Sequence, residues 1–257
     1  MSGLLTATIA TLIFCAPGYP GGAGDAQPFV DQFASAAVAS AGWPAGSLAA
    51  VYDPTESGGL AKLAGPDAVL AFVPYPFFVE HASQLHLTPL AQADVAGTGT
   101  TERWTLVARA GRPIGAQSLN GYTILSVAGY SPTFVKQSAL GAWTLSPAIK
   151  VESTGQLLSA LRRVASGDPV VALLDQTQAA AVPTLPFAGQ LASVLQSPPV
   201  PVAIIAVVDS RLTPARAHAL QIGLLRMGHS GPSTDTLGSL HLQGFVMPQL
   251  PGAKPAP

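Results

Sequence analysis

Charge is scarce in this chain: Asp, Glu, Lys and Arg make up 10% of its 257 residues, with 12 basic residues against 13 acidic ones. A nucleic-acid surface needs a basic face to neutralise phosphates, and no cluster of Lys and Arg supplies one. Cysteine is nearly absent. The single Cys15 excludes an intramolecular disulfide framework and any zinc cluster built on cysteines. The apolar run Leu4 to Ala16 falls short of the about 20 residues that span a bilayer, and no basic residue precedes it as in a signal peptide. Enzyme signatures are missing as well: there is no G-x-S-x-G elbow, no G-x-x-x-x-G-K-[ST] loop and no H-E-x-x-H. The five histidines, His81, His86, His218, His229 and His241, are scattered. Only His81 and His86 lie close, and a spacing of five is not a helical pair, so they read as surface or helix-end positions.

Apolar residues are abundant, at 48%, so the chain is long and hydrophobic enough to pack one large core or two lobes. Ala10 to Ala16 (ATLIFCA) reads as a first buried strand ended by Pro17 and Gly18. Asp25 then caps a helix whose Phe29, Val30, Phe33, Ala37 and Val38 recur at helical spacing, closed by Gly42. Ser47–Tyr52 predicts a strand, Thr55–Ala64 a helix, and Ala68–Val73 a strand stopped by Pro74. This β-α-β-α-β order predicts an α/β fold with a mostly parallel sheet.

Composition shifts at Gly97 to Thr101, before a mixed strand Arg103–Arg109, which places a first crossing between lobes there. A second lobe follows, with strand Tyr122–Val127, a helix from about Thr133, an amphipathic helix carrying Leu157, Leu158, Leu161 and Val164, and strand Val170–Leu174. Arg162 and Arg163 mark its solvated face. The proline-rich Ser197 to Pro201 leads back to strand Val202–Val208, and Thr213 with Pro214 opens a helix of the first lobe. The tail Pro248 to Pro257 is expected to fray. The lobes are then residues 1–100 plus 199–257, and residues 101–198.

Ligands of parallel α/β sheets gather at the carboxyl ends of strands, where helix N-termini present free N–H groups. The loops at these ends are Pro17 to Gly21, Asp53 to Ser57, Pro74 to Pro76 and Gly129 to Thr133, with Asp175, Gln176 and Thr177 at a fifth strand end. The hydroxyls of Thr55, Ser57, Ser131 and Thr133 are placed to donate to an oxyanion, and Tyr19, Tyr75 and Tyr130 to wall the cleft. Glu56 and Asp175 complete the candidate ligand-binding set. Ser, Thr and Asp at such strand-to-helix turns are also the preferred helix caps of any α/β protein, so capping competes with ligand contact in each of these loops. Pro132 removes one N–H from the second-lobe loop.

The run Tyr52 to Gly58 (YDPTESG), the stretch Leu63 to Gln92, and downstream SLNGYTILSV, SGDPVVALLD, QSPPVPVAIIAV and a terminal helix pair ending in LQGFVMP resemble the phosphate/phosphonate-binding subunits of ABC importers over nearly the whole chain. That resemblance implies a two-lobed type 2 periplasmic-binding-protein fold, each lobe a mixed, mostly parallel sheet with flanking helices. It also implies oxyanion contacts from Ser131 and Thr133, where the family loop is richer in serine and glycine. A monomeric, extracytoplasmic receptor is then expected. It captures a small anionic or polar solute for an ABC permease or a membrane sensor, with no cofactor, metal or nucleic acid. An enzyme on the same fold, with Glu56 or Asp175 as general base, is the alternative, as is a membrane-partnered sensor domain.

Overall fold

The computed structural model describes residues 9–19, 21–112, 114–228 and 233–251. The elements run β1 (Ala10–Cys15), α1 (Ala23–Ser40), β2 (Leu48–Asp53), α2 (Glu56–Leu63), β3 (Ala68–Pro74), α3 (Tyr75–His81), β4 (Leu87–Val95), β5 (Thr101–Glu102), β6 (Thr105–Arg109) and β7 (Thr123–Ser126). A π-helix (Phe134–Ala139) precedes β8 (Lys150–Ser153), α4 (Leu157–Ser166), β9 (Val170–Leu174), α5 (Gln176–Ala181), β10 (Leu191–Gln196) and β11 (Val200–Pro201). The chain ends with β12 (Ala203–Val208), α6 (Pro214–Arg226), α7 (Ser233–Ser239) and β13 (Leu242–Val246).

Two sheets organise these elements. The first has six strands in the order β13-β4-β12-β3-β1-β2, and the second five in the order β10-β6-β9-β7-β8. In the first, β1, β2 and β3 run parallel, while β12 lies antiparallel between β3 and β4. In the second, β7, β8, β9 and β10 run one way, and β6, between β9 and β10, runs antiparallel to both. The two crossing segments pair with each other as β5 and β11, with Glu102 opposite Val200. Next to this ribbon the Trp104 N–H donates to the Ser197 hydroxyl at 2.9 Å and the Ser197 N–H to the Trp104 carbonyl at 2.8 Å.

The uniformly buried β1, β3 and β12 follow from their unbroken apolar runs, which only a sheet covered on both faces can accommodate. On one face α1 lays Val30, Phe33, Ala37 and Val38 against Phe14 and Phe72, with the Phe14 and Phe33 rings edge to face at 5.3 Å. Phe29 lies off that face and is 41% exposed, because its position on the helix turns it to solvent. The other face belongs to an apolar cluster that continues through both lobes by way of Trp104 and Phe134, whose rings meet edge to face at 5.1 Å. In the second lobe α4 buries Ala160, Leu161, Val164 and Ala165, whereas Leu158 points outward at 44% exposure.

Several elements depart from the sequence reading. α1 starts at Ala23 with Gly22 as N-cap, so Asp25 sits in the first turn and acts on the helix dipole rather than as the cap. The segment LQGFV does not finish a helix pair; after α6 and α7 it forms the edge strand β13. The expected helix at Thr133 is a π-helix. The start of the tail is held at two points: Leu250 packs, partly buried, against the apolar cluster, and the Gln249 N–H donates to Gln92 Oε1 at 2.9 Å. Residues 252–257 and His229 lie outside the described residues.

Candidate functional site

The carboxyl ends of β1, β2 and β3 lie on one edge of the first sheet, and those of β7 and β9 on the facing edge of the second. The loops that follow approach closely. Gly18, at φ +82, leaves room for the Val127 carbonyl: a Cβ there would lie 2.8 Å from that oxygen. Gly18→Val therefore combines backbone strain with a clash between lobes. We expect it to favour the open form, read as a larger radius of gyration in small-angle scattering with the circular dichroism spectrum unchanged.

Tyr19 follows in the same loop; 38% of the residue as a whole stays exposed while its hydroxyl end is enclosed, in the field of two acids of the facing side. Burial pushes its pKa well above the ordinary phenol range, and Glu102 and Asp175 add to the shift. Tyr130, from the second lobe, is raised for the same first reason, and then by Tyr19, Cys15 and Glu56. Tyr19 and Tyr130 thus lie near enough for the charge of one to act on the other. Tyr75 differs from them: it is 6% exposed and packs between Phe78 and Phe134, so its ring belongs to the core under the cleft.

The α2 loop is spent largely on its own helix. Thr55 caps α2 by accepting from the Gly58 N–H at 3.1 Å, and its hydroxyl donates to Asp53 Oδ1 at 2.7 Å. Asp53 also pairs with Lys62. Burial raises the Asp53 pKa, but the bonds from Lys62 and Thr55 outweigh it and leave the carboxyl below its ordinary value. Glu56 lies 2.8 Å from His81 Nε2, a histidine that is buried rather than on the surface. Ser57 is exposed beside them. Cys15 is fully buried under this loop, its thiol directed at the Thr55 carbonyl, and burial together with Asp53 and Glu56 pushes its pKa up to about 12.

Ser131 and Thr133 lie side by side at the second-lobe loop, and their donors are already engaged. The carboxylate of Glu80, on α3, accepts from the Thr133 N–H at 2.9 Å and from the Thr133 hydroxyl at 3.1 Å. The Ser131 hydroxyl lies 3.0 Å from Glu80 Oε2 and 2.9 Å from the Pro76 carbonyl, so its one proton serves one of them at a time. A carboxylate of the first lobe thus occupies the donor set of the second. The sequence reading missed Glu80 because it sits inside a helix, six residues past the end of β3, away from every strand-end loop.

Glu102 was missed too. It is 5% exposed, and its carboxyl accepts from Trp104 Nε1 at 3.1 Å. Burial, then Asp175, pushes its pKa from the ordinary 4.5 to about 8, against the opposing bonds from Trp104 and the Gln176 N–H. The signal was present as a lone acid next to tryptophan in the crossing segment (TERW). Asp175 is 5% exposed, caps α5 through the Gln178 N–H at 2.8 Å, and is raised first by burial. The two acids, one on a crossing strand and one at the end of β9, are both buried and close enough that Asp175 acts on Glu102 and both act on Tyr19. Among the described residues no group of three or more His, Cys, Asp or Glu is placed to hold a metal ion, and no helix is long and apolar enough to cross a membrane.

Two mixed sheets joined by paired crossing strands, with their carboxyl edges face to face, define a two-lobed type 2 periplasmic-binding-protein fold. No protein-family model matches the chain, and no curated protein matches its sequence. Solved structures are similar to it in shape. XAC2383 from Xanthomonas citri, bound to chloride, is 15% identical with a TM-score of 0.70, covering 93% of this chain and 92% of that one. PhnD1 from Prochlorococcus marinus in complex with methylphosphonate is 12% identical with a TM-score of 0.59, covering 93% of each chain. The binding-protein component of an ABC phosphonate transporter from Pseudomonas aeruginosa is 16% identical with a TM-score of 0.58, covering 92% and 80%.

Proposed function

We propose that this protein is a solute receptor that holds one small ligand between its lobes, without turnover, and presents it to an ABC permease or a membrane sensor outside the cytoplasm. The observation that carries the proposal is the meeting of side chains and loops from both lobes, with Glu80 of the first on Ser131 and Thr133 of the second and Gly18 against the Val127 carbonyl. The lobes comprise residues 1–100 plus 199–257 and residues 101–198. They close about the crossing segments as a ligand-biased equilibrium.

The ligand, in this reading, is a phosphate- or phosphonate-like oxyanion held by Ser131 and Thr133. Support comes from the three donors those residues direct at one carboxylate, which suit an oxyanion equally well, and from the methylphosphonate complex of a protein of the same fold. Such a ligand takes the place of Glu80. The acid pair favours a second reading, a solute that brings an ammonium group to Glu102 and Asp175.

A thermal-shift screen against phosphate, methylphosphonate, sulfate, small carboxylates, amino acids and alkylamines tests both, because a ligand bound by the native state alone raises Tm by mass action. A selective rise with one class supports that reading. A flat response to all of them removes both.

A further inference from the structure

Beside the polar cleft the first lobe carries an apolar cavity of about 260 Å³. Phe14, Tyr52, Phe72, Leu240 and Leu242 wall it, and Tyr19 lines it from the cleft loop. It lies at the carboxyl edge of the first sheet, among the ends of β1, β2 and β3 and the starts of β12 and β13, which run the opposite way. Tyr19 belongs to both spaces. Its ring lines the cavity, while its hydroxyl lies in the field of the acids across the cleft.

We propose that this cavity takes an aryl or branched alkyl group of the same solute whose polar end lies between the lobes, so that the receptor selects small amphiphilic solutes over their methyl homologues. The proposal rests on the receptor reading above. Water gains little in such a space, since a buried water needs two or more polar partners and the walls here are aromatic rings and leucines. A closed apolar cavity of about 150 Å³ takes up benzene, and the space here has the same kind of wall while opening to solvent on one side. The larger volume here accommodates a substituted ring. The fit also follows from the general design of small-molecule sites, mostly apolar walls with few polar groups at one end.

The test separates the cavity from the receptor reading by starting with a neutral probe. Toluene is added to the wild type and to Ala203→Leu and Ala16→Leu, two substitutions that enlarge small residues lining the cavity, with circular dichroism confirming that each variant folds. Toluene should raise the Tm of the wild type and leave that of the folded variants unchanged. No rise in the wild type, or an equal rise in the filled variants, overturns the proposal whatever the polar site binds.

Calorimetry then compares methylphosphonate with phenylphosphonate and methylamine with benzylamine. For the head group that binds, the aryl compound should bind at least tenfold tighter, and Ala203→Leu should erase that gain while keeping the methyl compound's affinity. Equal affinities within a pair overturn the link between cavity and solute. Uptake of toluene with binding of neither head group supports the cavity and removes the phosphonate and amine readings of the cleft.

Discussion

Glu80→Ala should increase the affinity for methylphosphonate at least tenfold while lowering the Tm by a few degrees. In the wild type the Glu80 carboxylate holds the Thr133 N–H, the Thr133 hydroxyl and, in part, the Ser131 hydroxyl. An incoming oxyanion competes for those donors with an anion tethered next to them, and it brings a like charge to the same place. Removing the carboxylate takes away the competitor. A gain of one decade corresponds to about 1.4 kcal/mol, within the range of two charge-assisted hydrogen bonds freed for a new acceptor. The stability loss is held to about 1–2 kcal/mol, since Glu80 and Thr133 are half-buried and water replaces part of what is lost.

Glu80→Gln keeps the shape and one acceptor, and should fall between the two. Isothermal titration with methylphosphonate and sulfate reads the result. Equal affinity in the wild type and Glu80→Ala rejects competition at this site. Ser131→Ala in the Glu80→Ala background should then remove the gain, which ties it to these donors rather than to a general loosening of the lobes.

Most of the central strands were legible because strands buried on both faces are written as unbroken apolar runs, whether parallel as in ATLIFC and AVLAFVP or antiparallel as in AIIAVV. Strands that pair at edges or carry polar groups were not. β4 (LTPLAQADV) contains Pro89, tolerated where the register with β12 shifts, and Gln92, whose amide donates to the Thr100 carbonyl at 2.7 Å. β8 (KVES) is an exposed edge strand with little to mark it. The site was legible in its loops and not in its partners. Ser131, Thr133 and Asp175 announce themselves as strand-end residues, but that Ser131 and Thr133 meet Glu80 depends on how two lobes meet. Nothing in the local pattern around Glu80 encodes that encounter, whereas Glu102 was marked by the tryptophan two residues on. Thr55 shows the opposite case, a loop hydroxyl whose helix-capping role is sufficient to explain it.

Glu102→Gln should remove most of the pH dependence of stability between pH 4.5 and about 8. Glu102 is buried in the folded protein with its pKa raised to about 8, whereas in the unfolded chain it titrates near 4.5. Below pH 4.5 both states are protonated and the residue contributes nothing to the slope. As pH rises through 4.5 the unfolded chain releases its proton while the folded one retains it, so the folded state binds more protons and stability falls. The fall continues until the folded carboxyl ionises near pH 8. At about 1.4 kcal/mol per pH unit that interval sets a ceiling of about 5 kcal/mol, reduced by any relaxation around the ionised group. The amide that this substitution introduces can still accept from Trp104 Nε1, without the cost of a buried charge. Urea unfolding at pH 5 and pH 8 should show the wild type losing stability between them and Glu102→Gln holding nearly constant. The same titration bears on the ligand. An ammonium group bound beside Glu102 and Asp175 favours their ionised forms, so binding near pH 7 releases protons, seen as an enthalpy that depends on the ionisation heat of the buffer. An oxyanion at Ser131 and Thr133 makes no such contact with Glu102. Proton release with the amine and none with the phosphonate assigns the two ends of the cleft, and equal release with both would mean that lobe closure alone moves the Glu102 proton.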